Sequence, residues 1–520
     1  MTKKQQGELR RWIAFSAIVV ALFALIILGK SIAERSGILD DTGLIGSNST
    51  IDIGLIDAPK SLDIRTEQGT AVEQALLGNV YETLIGRDEN NRLIPSLANS
   101  WSTSKDGRTV TLRLRANTTF SNGDTLDADD VVWSLQHIIS DKYVGYERLG
   151  SIAAVSSEDA RTVTLTLREP DATLLRALSG RAGIVYDSTA NPDYATQAMG
   201  SGPFIVERTY RQGAATITLQ RNERYWGSST AASSQISLHY YGDESSLIKA
   251  AADGKVELAL PLEHTSIADI SKRTGMKAVQ GSSTSKVMLV FNCGTESPMS
   301  DLRTRQSFRY LIDTAAVASS ATDAKQALGG PIGPLEPGYE DLTGIYPHDQ
   351  AKAAQMLTYY STRYFGDLTF LVPQEYQALG EQLNEYLKQG TSTLTTINPD
   401  MQVVDDATLN QRLASGDFKL ALITVSGTDN VDLFNGMNNT LQYQNGNAQQ
   451  EYQQAVASAN DADYAAHMKT FAQTVSQDAA AAWLYERGIN IAVNPKLTGY
   501  PVNLTDEILP LKDLTLGKQH

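Results

Sequence analysis

Hydrophobic positions along this chain recur at three periods, and each period marks a different kind of element. The clearest stretch is "LANSWSTSKDGRTVTLRLRANTTFSNGDTLDADDVVWSLQHII", from Leu97 to Ile139. Val110, Leu112 and Leu114 alternate with Thr111, Arg113 and Arg115, the period-two pattern of a half-buried strand. Turn chemistry brackets that strand, with Lys105-Asp106-Gly107-Arg108 before it and Asn122-Gly123 after it. Asp127 then predicts a helix cap, with Asp130 in the first turn. Val131, Leu135, Ile138 and Ile139 fall on one face at helical spacing. The strand signature returns in "ARTVTLTLREP" through Val163, Leu165 and Leu167, and in "AATITLQRN" through Ile217 and Leu219. Strands of mixed sheets interleaved with helices follow from this alternation.

Farther on, "DLRTRQSFRYLIDTAAVA" reads as a helix begun by Asp301. Its opposite-charge pairs, Asp301/Arg305 and Arg309/Asp313, stand one turn apart and predict a solvated face. "HDQAKAAQMLTYY" and "YQALGEQLNEYLKQG" read as further amphipathic helices, the second capped at Gly390.

The third pattern is an unbroken apolar run. In "RRWIAFSAIVVALFALIILGK", only Ser16 is polar between Trp12 and Leu28. A helix of that length reaches about 26 Å, just enough to cross a bilayer core. Lys3, Lys4, Arg10 and Arg11 precede it, whereas Lys30 and Arg35 are diluted by Glu34, Asp40 and Asp41, which puts the amino terminus in the cytoplasm and exports the rest. Residues 1–33 are therefore read as a basic cytoplasmic segment and a retained transmembrane anchor, the run being longer than a usual signal core. The alternative is a signal peptide cut after Ser31-Ile32-Ala33. Arg10-Arg11 lacks the other residues of a twin-arginine signal. No later stretch approaches a membrane span, which excludes a multi-span permease. Residues 34–50, rich in Gly, Ser and Asp, read as a flexible stalk.

Composition narrows the class. A chain of 520 residues exceeds what one hydrophobic core serves, so two or three domains are expected. A formal net charge of -15 without clustered Lys and Arg argues against nucleic acid as a partner. Cys293 is the only cysteine, so no intramolecular disulfide holds the exported fold, and "VFNCGTE" has nothing nearby to activate a thiol. Ser-x-x-Lys occurs at Ser102/Lys105, Ser246/Lys249 and Ser283/Lys286, in no case with the accompanying Lys-Thr-Gly. There is no Gly-x-Ser-x-Gly, no His-Glu-x-x-His and no Walker loop, and the six His residues lack metal-ligand spacing. The reading is a protein that is not an enzyme and needs no cofactor or metal.

Ordered segments then carry a resemblance. "NVYETLI" at Asn79 is followed by the Leu97–Ile139 region, "TVTLTLREPDATLL", "GSGPFIVERTYRQGAATITLQRNERYWG", "LVFNCGTESPMSDLRTRQSFRYLID" and "QDAAAAWLYERGINIAVNPKLTGYPV". In that order and spacing, the chain resembles family 5 of the extracellular solute-binding proteins, the dipeptide and oligopeptide receptors of ABC importers. The resemblance implies an α/β, two-lobed periplasmic-binding-protein fold of the large type II, cluster C kind, with an extra subdomain in the first lobe, here preceded by the transmembrane helix. It puts lobe I at residues 51–290, with the subdomain at about 87–199 and a return at 490–520, and lobe II at 291–489. Gly200 and Gly202 allow a tight backbone entry into the strand after Pro203, and Tyr225-Trp226 form an aromatic pair able to pack on the sheet.

The resemblance also implies a ligand site in the interlobe cleft. In peptide-binding members, a carboxylate in a Trp-x-x-Asp-Tyr-x-Asp-Pro segment takes the ligand's amino terminus. The matching "ITVSGTDNVDLF" puts Asp429 at that position, Asp432 at the second acid, and Asn430 where the family has Tyr. A carboxylate facing an ammonium forms a charge-assisted hydrogen bond and so selects free amines. Ser426 and Leu433 replace the family's Trp and Pro. The bland reading of Asp429 is a turn cap. Asn292, near the implied hinge, is a further candidate for holding ligand backbone, against a purely structural contact.

The implied function is a membrane-tethered, extracytoplasmic and monomeric receptor that delivers peptides to ABC permease subunits driven by cytoplasmic ATPases. The alternatives are the same fold binding another solute, such as an oligosaccharide or metal chelate, or a scaffold or signalling protein that has lost transport.

Overall fold

In the computed structural model, residues 49–390, 395–427, 429–436, 438–505 and 508–517 are described. The apolar run Trp12–Leu28, the cleavage position at Ala33 and nearly all of the stalk lie outside them. No helix among the described residues is long and apolar enough to cross a membrane.

The chain folds into two lobes of mixed α/β structure joined by two long antiparallel strands, Lys277–Phe291 and Ala481–Val493. Lobe I continues the second of these through Leu258–Ala259, Thr50–Ile56, Gln235–Tyr241, Thr216–Arg221 and Phe204–Val206. Lobe II continues the first through Leu420–Ser426, Thr369–Pro373 and Asp400–Val404.

Side-chain alternation explains why lobe II folds as a three-layer sandwich. Val287, Leu289 and Phe291 enter one core with Leu420, Leu422, Phe370 and Val372. Met288 and Val290 enter the opposite core with Ala421, Ile423 and Leu371. Strands buried on both faces must be apolar at every position, hence "VMLVF" and "LALI". Lobe I is asymmetric. Ile51, Ile53 and Leu55 join a large core, whereas the helix Glu244–Ala252 covers the other face through Leu247, Ile248 and Ala251.

A separate four-stranded antiparallel sheet lies within lobe I's sequence, built from Ala98–Thr103, Thr109–Leu114, Thr162–Leu167 and Ile152–Asp159. The helix Ala128–Ser140 packs on it. Asp127 caps this helix in a capping box with Asp130, as the sequence pattern requires. Val110, Leu112, Val163 and Leu165 share the core of the lobe I sheet, so the extra sheet is fused to the lobe.

Two sequence expectations fail in lobe II. The Asp301 helix ends at Leu311, and Asp313 caps a second helix, Thr314–Ser320. Arg305 and Arg309, the two arginines of those pairs, are buried, not solvated: Arg305 pairs with Asp478 at 3.3 Å. Arg309 donates to the carbonyls of Ala481 and Gly329 and lies over the rings of Tyr346 and Trp483. Burial draws its pKa down to about 10. Charges one turn apart read as a surface, but here they reach across to the second long strand and the loop before it. Gly390 is no left-handed cap either. The helix Gln377–Lys388 ends on Gln389, and a Cβ at Gly390 would meet Leu311, Ile397 and Leu357 within 3.0 Å, so packing explains this glycine.

Candidate functional site at the lobe junction

Where the two long strands pass from one lobe to the other, their ladder breaks. Ser282 pairs with Gly488 and Lys286 with Glu486, which leaves Ser283, Thr284 and Ser285 opposite Arg487 alone. Extra residues on one strand interrupt the ladder and bend it. Here the unpaired residues turn to other partners. Ser283 Oγ donates to the Arg487 carbonyl at 2.6 Å, and Ser285 and Ser426 join their hydroxyls. The Gly427 amide donates to Thr284 O at 3.1 Å.

That last bond fixes the segment singled out by sequence. The strand Leu420–Ser426 delivers the chain to the break, and the short helix Asp429–Asp432 starts two residues after Gly427. Val431, Leu433 and Phe434 bury themselves in the lobe II core and pin this turn against the strands. Asp432 Oδ1 accepts from Asn435 Nδ2 at 2.9 Å. Asp432 also helps burial push the Tyr452 phenol up to about 12. Asp429 and Asn430 thus stand at the junction by backbone position; their side chains lie outside what is described.

Asn292 sits at the far end of the first strand. Its Nδ2 donates to Gly416 O at 3.0 Å and Phe418 O at 2.9 Å, and its Oδ1 accepts from Gly294 N at 3.0 Å. Those bonds tie the strand end to the turn before Leu420–Ser426. Cys293 next to it is a largely enclosed thiol, with its pKa pushed up by burial to about 11.

The junction also contains charges that sequence reading passed over. Lys286 is fully buried, with Nζ 2.5 Å from Glu336 Oε2 and 3.0 Å from Thr284 O. Glu486, directly across the strand pair, is 1% exposed, and among the described residues neither of its carboxylate oxygens has a hydrogen-bond partner. Burial raises its pKa against the pull of Ser282, the Ser283 backbone and Lys286, groups that lie close to the carboxylate without bonding to it in hydrogen-bond geometry. The signal for this cluster was a lone Lys opening "KVMLVF" and a lone Glu-Arg inside "AAWLYERGINIAV": charges inside strands otherwise buried on both faces.

Next to Glu486, Arg487 bridges the lobes. It lies 2.5 Å from Glu263 on the lobe I side and 2.9 Å from Asp323 on the lobe II side, and Tyr485 donates to Asp323 at 3.0 Å. Asn490 makes a similar tie, donating to Thr265 O and Thr322 O. Beyond the strands, the lobes touch where Asn91 Nδ2 donates to Leu335 O and Ala172 N to Val456 O, both at 2.8 Å.

Two lobes linked by a broken strand pair, with polar groups gathered at the crossing, agree with what known proteins show. The family model described as bacterial extracellular solute-binding proteins, family 5 middle, matches residues 92–448. The chain belongs to this family. Among curated relatives, the glutathione-binding protein GsiB of Salmonella paratyphi A is 23% identical over 292 residues, covering 55% of this chain and 56% of that protein. The chain thus spans about half the length of the curated relatives it matches. Among solved structures, the unliganded open form of the murein tripeptide-binding protein MppA superposes with a TM-score of 0.78 at 17% identity, covering 91% of this chain and 98% of that one. AppA of Bacillus subtilis, in complex with a nonapeptide, gives 0.70 at 19% identity, covering 91% and 100%. At these identities the likeness establishes the fold.

Proposed function

We propose that this family member is an extracytoplasmic receptor of an ABC importer, capturing a short peptide between its lobes and passing it to the permease. The observation that carries the reading is the broken ladder at residues 282–288 and 486–488, a two-strand hinge at which one lobe can rotate against the other. GsiB, MppA and AppA are named for glutathione, a murein tripeptide and a nonapeptide, all peptides, and that shared chemistry supports the solute class. Lobe I, with its fused extra sheet, would run from residue 51 to 290 and regain the chain after residue 490. The ligand would lie at the junction, its amino terminus on Asp429, with Asn430 nearby. The run Trp12–Leu28 would hold a monomeric receptor at the membrane beside its permease and cytoplasmic ATPases.

Calorimetry with glutathione, a free tripeptide and the same tripeptide N-acetylated tests this. Binding of a free peptide by the wild type supports the receptor; absence of binding for a broad peptide set defeats it. Asp429→Asn is expected to weaken a free peptide by about tenfold or more, the value of one charged hydrogen bond, and to leave the acetylated peptide unchanged. Equal affinities in variant and wild type would reject Asp429 as the anchor while leaving the receptor reading intact.

A further inference from the structure

Away from the junction, lobe I carries a solvent-open cavity of about 720 Å3, within the range of small-molecule sites. Three cations reach it from three separate parts of the chain. Arg115 follows the strand Thr109–Leu114, Arg161 stands in the turn between Ile152–Asp159 and Thr162–Leu167, and Lys512 comes from the carboxy-terminal return. None of the three forms an ion pair among the described residues. Asp159 and Asp513 stand nearby, acting on Arg161 and Tyr225, but neither lines the cavity.

The cavity's one acid, Glu82, is already committed. It accepts from Ser201 Oγ, Tyr225 OH and Trp226 Nε1, each at 2.8 Å. Those bonds fix the two rings, whose centroids lie 5.5 Å apart. Arg115 sits 5.8 Å from the Trp226 centroid and Lys512 5.2 Å from the Tyr225 centroid. Arg115 is held further by donation from Nε to Ser96 O at 2.7 Å. Three cations against one lining carboxylate, with Asp159 behind Arg161, leave the wall net positive, and hydrogen bonds already hold Glu82, Tyr225, Trp226 and Arg115 in place. Such preorganisation lowers the ordering cost of binding.

We propose that this cavity is a second ligand site, taking a small molecule with at least two negative charges on oxyanion groups, phosphate or carboxylate. Arg115, Arg161 and Lys512 are its recognition groups. The site lies wholly within lobe I, and its occupancy does not depend on capture of a solute at the junction.

The test is calorimetric titration of the full-length chain with pyrophosphate and with citrate, at low and at physiological ionic strength. Saturable one-to-one binding of either probe is expected, weaker at the higher salt. The responding probe identifies the oxyanion class. Arg161→Ala and Lys512→Gln should each weaken that binding about tenfold, and Arg161→Lys should retain most of it. Thermal melting without the probe should not move, because Arg161 is exposed and Lys512 half-exposed. Failure of both probes to saturate, or unchanged binding in the Arg161→Ala, Lys512→Gln double variant, would overturn the proposal.

Discussion

Glu82 in lobe I and Glu486 at the lobe junction are both buried carboxylates whose pKa burial raises, yet their surroundings are opposites. Glu82 accepts three hydrogen bonds, from Ser201 at the tight Gly200-Ser201-Gly202 entry and from Tyr225 and Trp226 at the end of a strand. It thereby joins three chain segments with every donor matched. Among the described residues, neither Glu486 oxygen meets a donor in hydrogen-bond geometry, and the cation across the strand pair, Lys286, is bonded to Glu336. The first arrangement is complete in the structure as it stands. The second leaves a charged group wanting a proton or a partner, and it does so where the strand ladder breaks between the lobes. Satisfied polar clusters fix one arrangement, whereas partly satisfied ones make an arrangement easy to leave. The Glu82 cluster is thus satisfied in one arrangement, and the Glu486 carboxylate is not.

Lys286→Met attacks the junction at its fully buried cation. It strands Glu336 and Glu486 together, and the expected loss is about 3–5 kcal/mol in chemical denaturation. Adding Glu486→Gln should recover part of that loss, because the remaining carboxylate no longer faces a like charge; additive effects would show that Lys286 and Glu486 do not sense each other. Glu82→Leu attacks the lobe I cluster. Three donors, Ser201 buried and Tyr225 and Trp226 half-buried, lose their acceptor, so a loss on the order of 2 kcal/mol is expected, with a smaller loss for Ser201→Ala, which removes one donor. A Glu82→Leu protein as stable as the wild type would show that the three bonds do not hold lobe I together.

The sequence made lobe I easier to read than the junction, for a physical reason. The helix Ala128–Ser140, its Asp127 and Asp130 capping box and the alternating strands are local patterns, set within a few residues of one another. Gly200 and Gly202 were legible as a tight entry, but the cause is distant in the chain: a Cβ there would collide with the carbonyls of Val80 and Asn79. The junction depends on pairings between distant segments. Lys286 meets Glu486 and Glu336 only once the sheet forms, and Arg309 reaches Ala481 and Gly329 only through the packed core. A charge one turn from its opposite looks solvated in sequence, which is why the Asp301–Asp313 stretch was expected at a surface. The order of family motifs supplied the two-lobed frame, and with it the place of Asp429. The Ser-x-x-Lys match at Ser283/Lys286 carried no information: Ser283 donates to a backbone carbonyl and takes no part in a pair with Lys286.

Glu486→Gln sharpens the contrast most finely, because its expected effect is small and depends on pH. The folded-state pKa of Glu486 lies above the ordinary carboxylate value of 4.5. The folded protein therefore holds this proton more tightly than the unfolded chain does. The stability it contributes is fully present below the unfolded value and is lost as pH rises through the folded one. Glutamine is neutral throughout and removes that dependence. Near pH 4 the two proteins should differ by less than about 1 kcal/mol, and by pH 8 the variant should match or exceed the wild type, since it no longer buries a charge without hydrogen bonds. Glu82 has a pH term of the same sign, so pH alone does not separate the two sites. The separation comes from the substitution itself: Glu82→Gln loses acceptors that three donors use, while Glu486→Gln loses none. Denaturation curves of both variants between pH 4 and pH 8 measure the difference. If Glu486→Gln is the weaker protein at pH 8 by more than about 1 kcal/mol, the carboxylate is engaged as an anion in the resting protein, and the junction is as complete as lobe I.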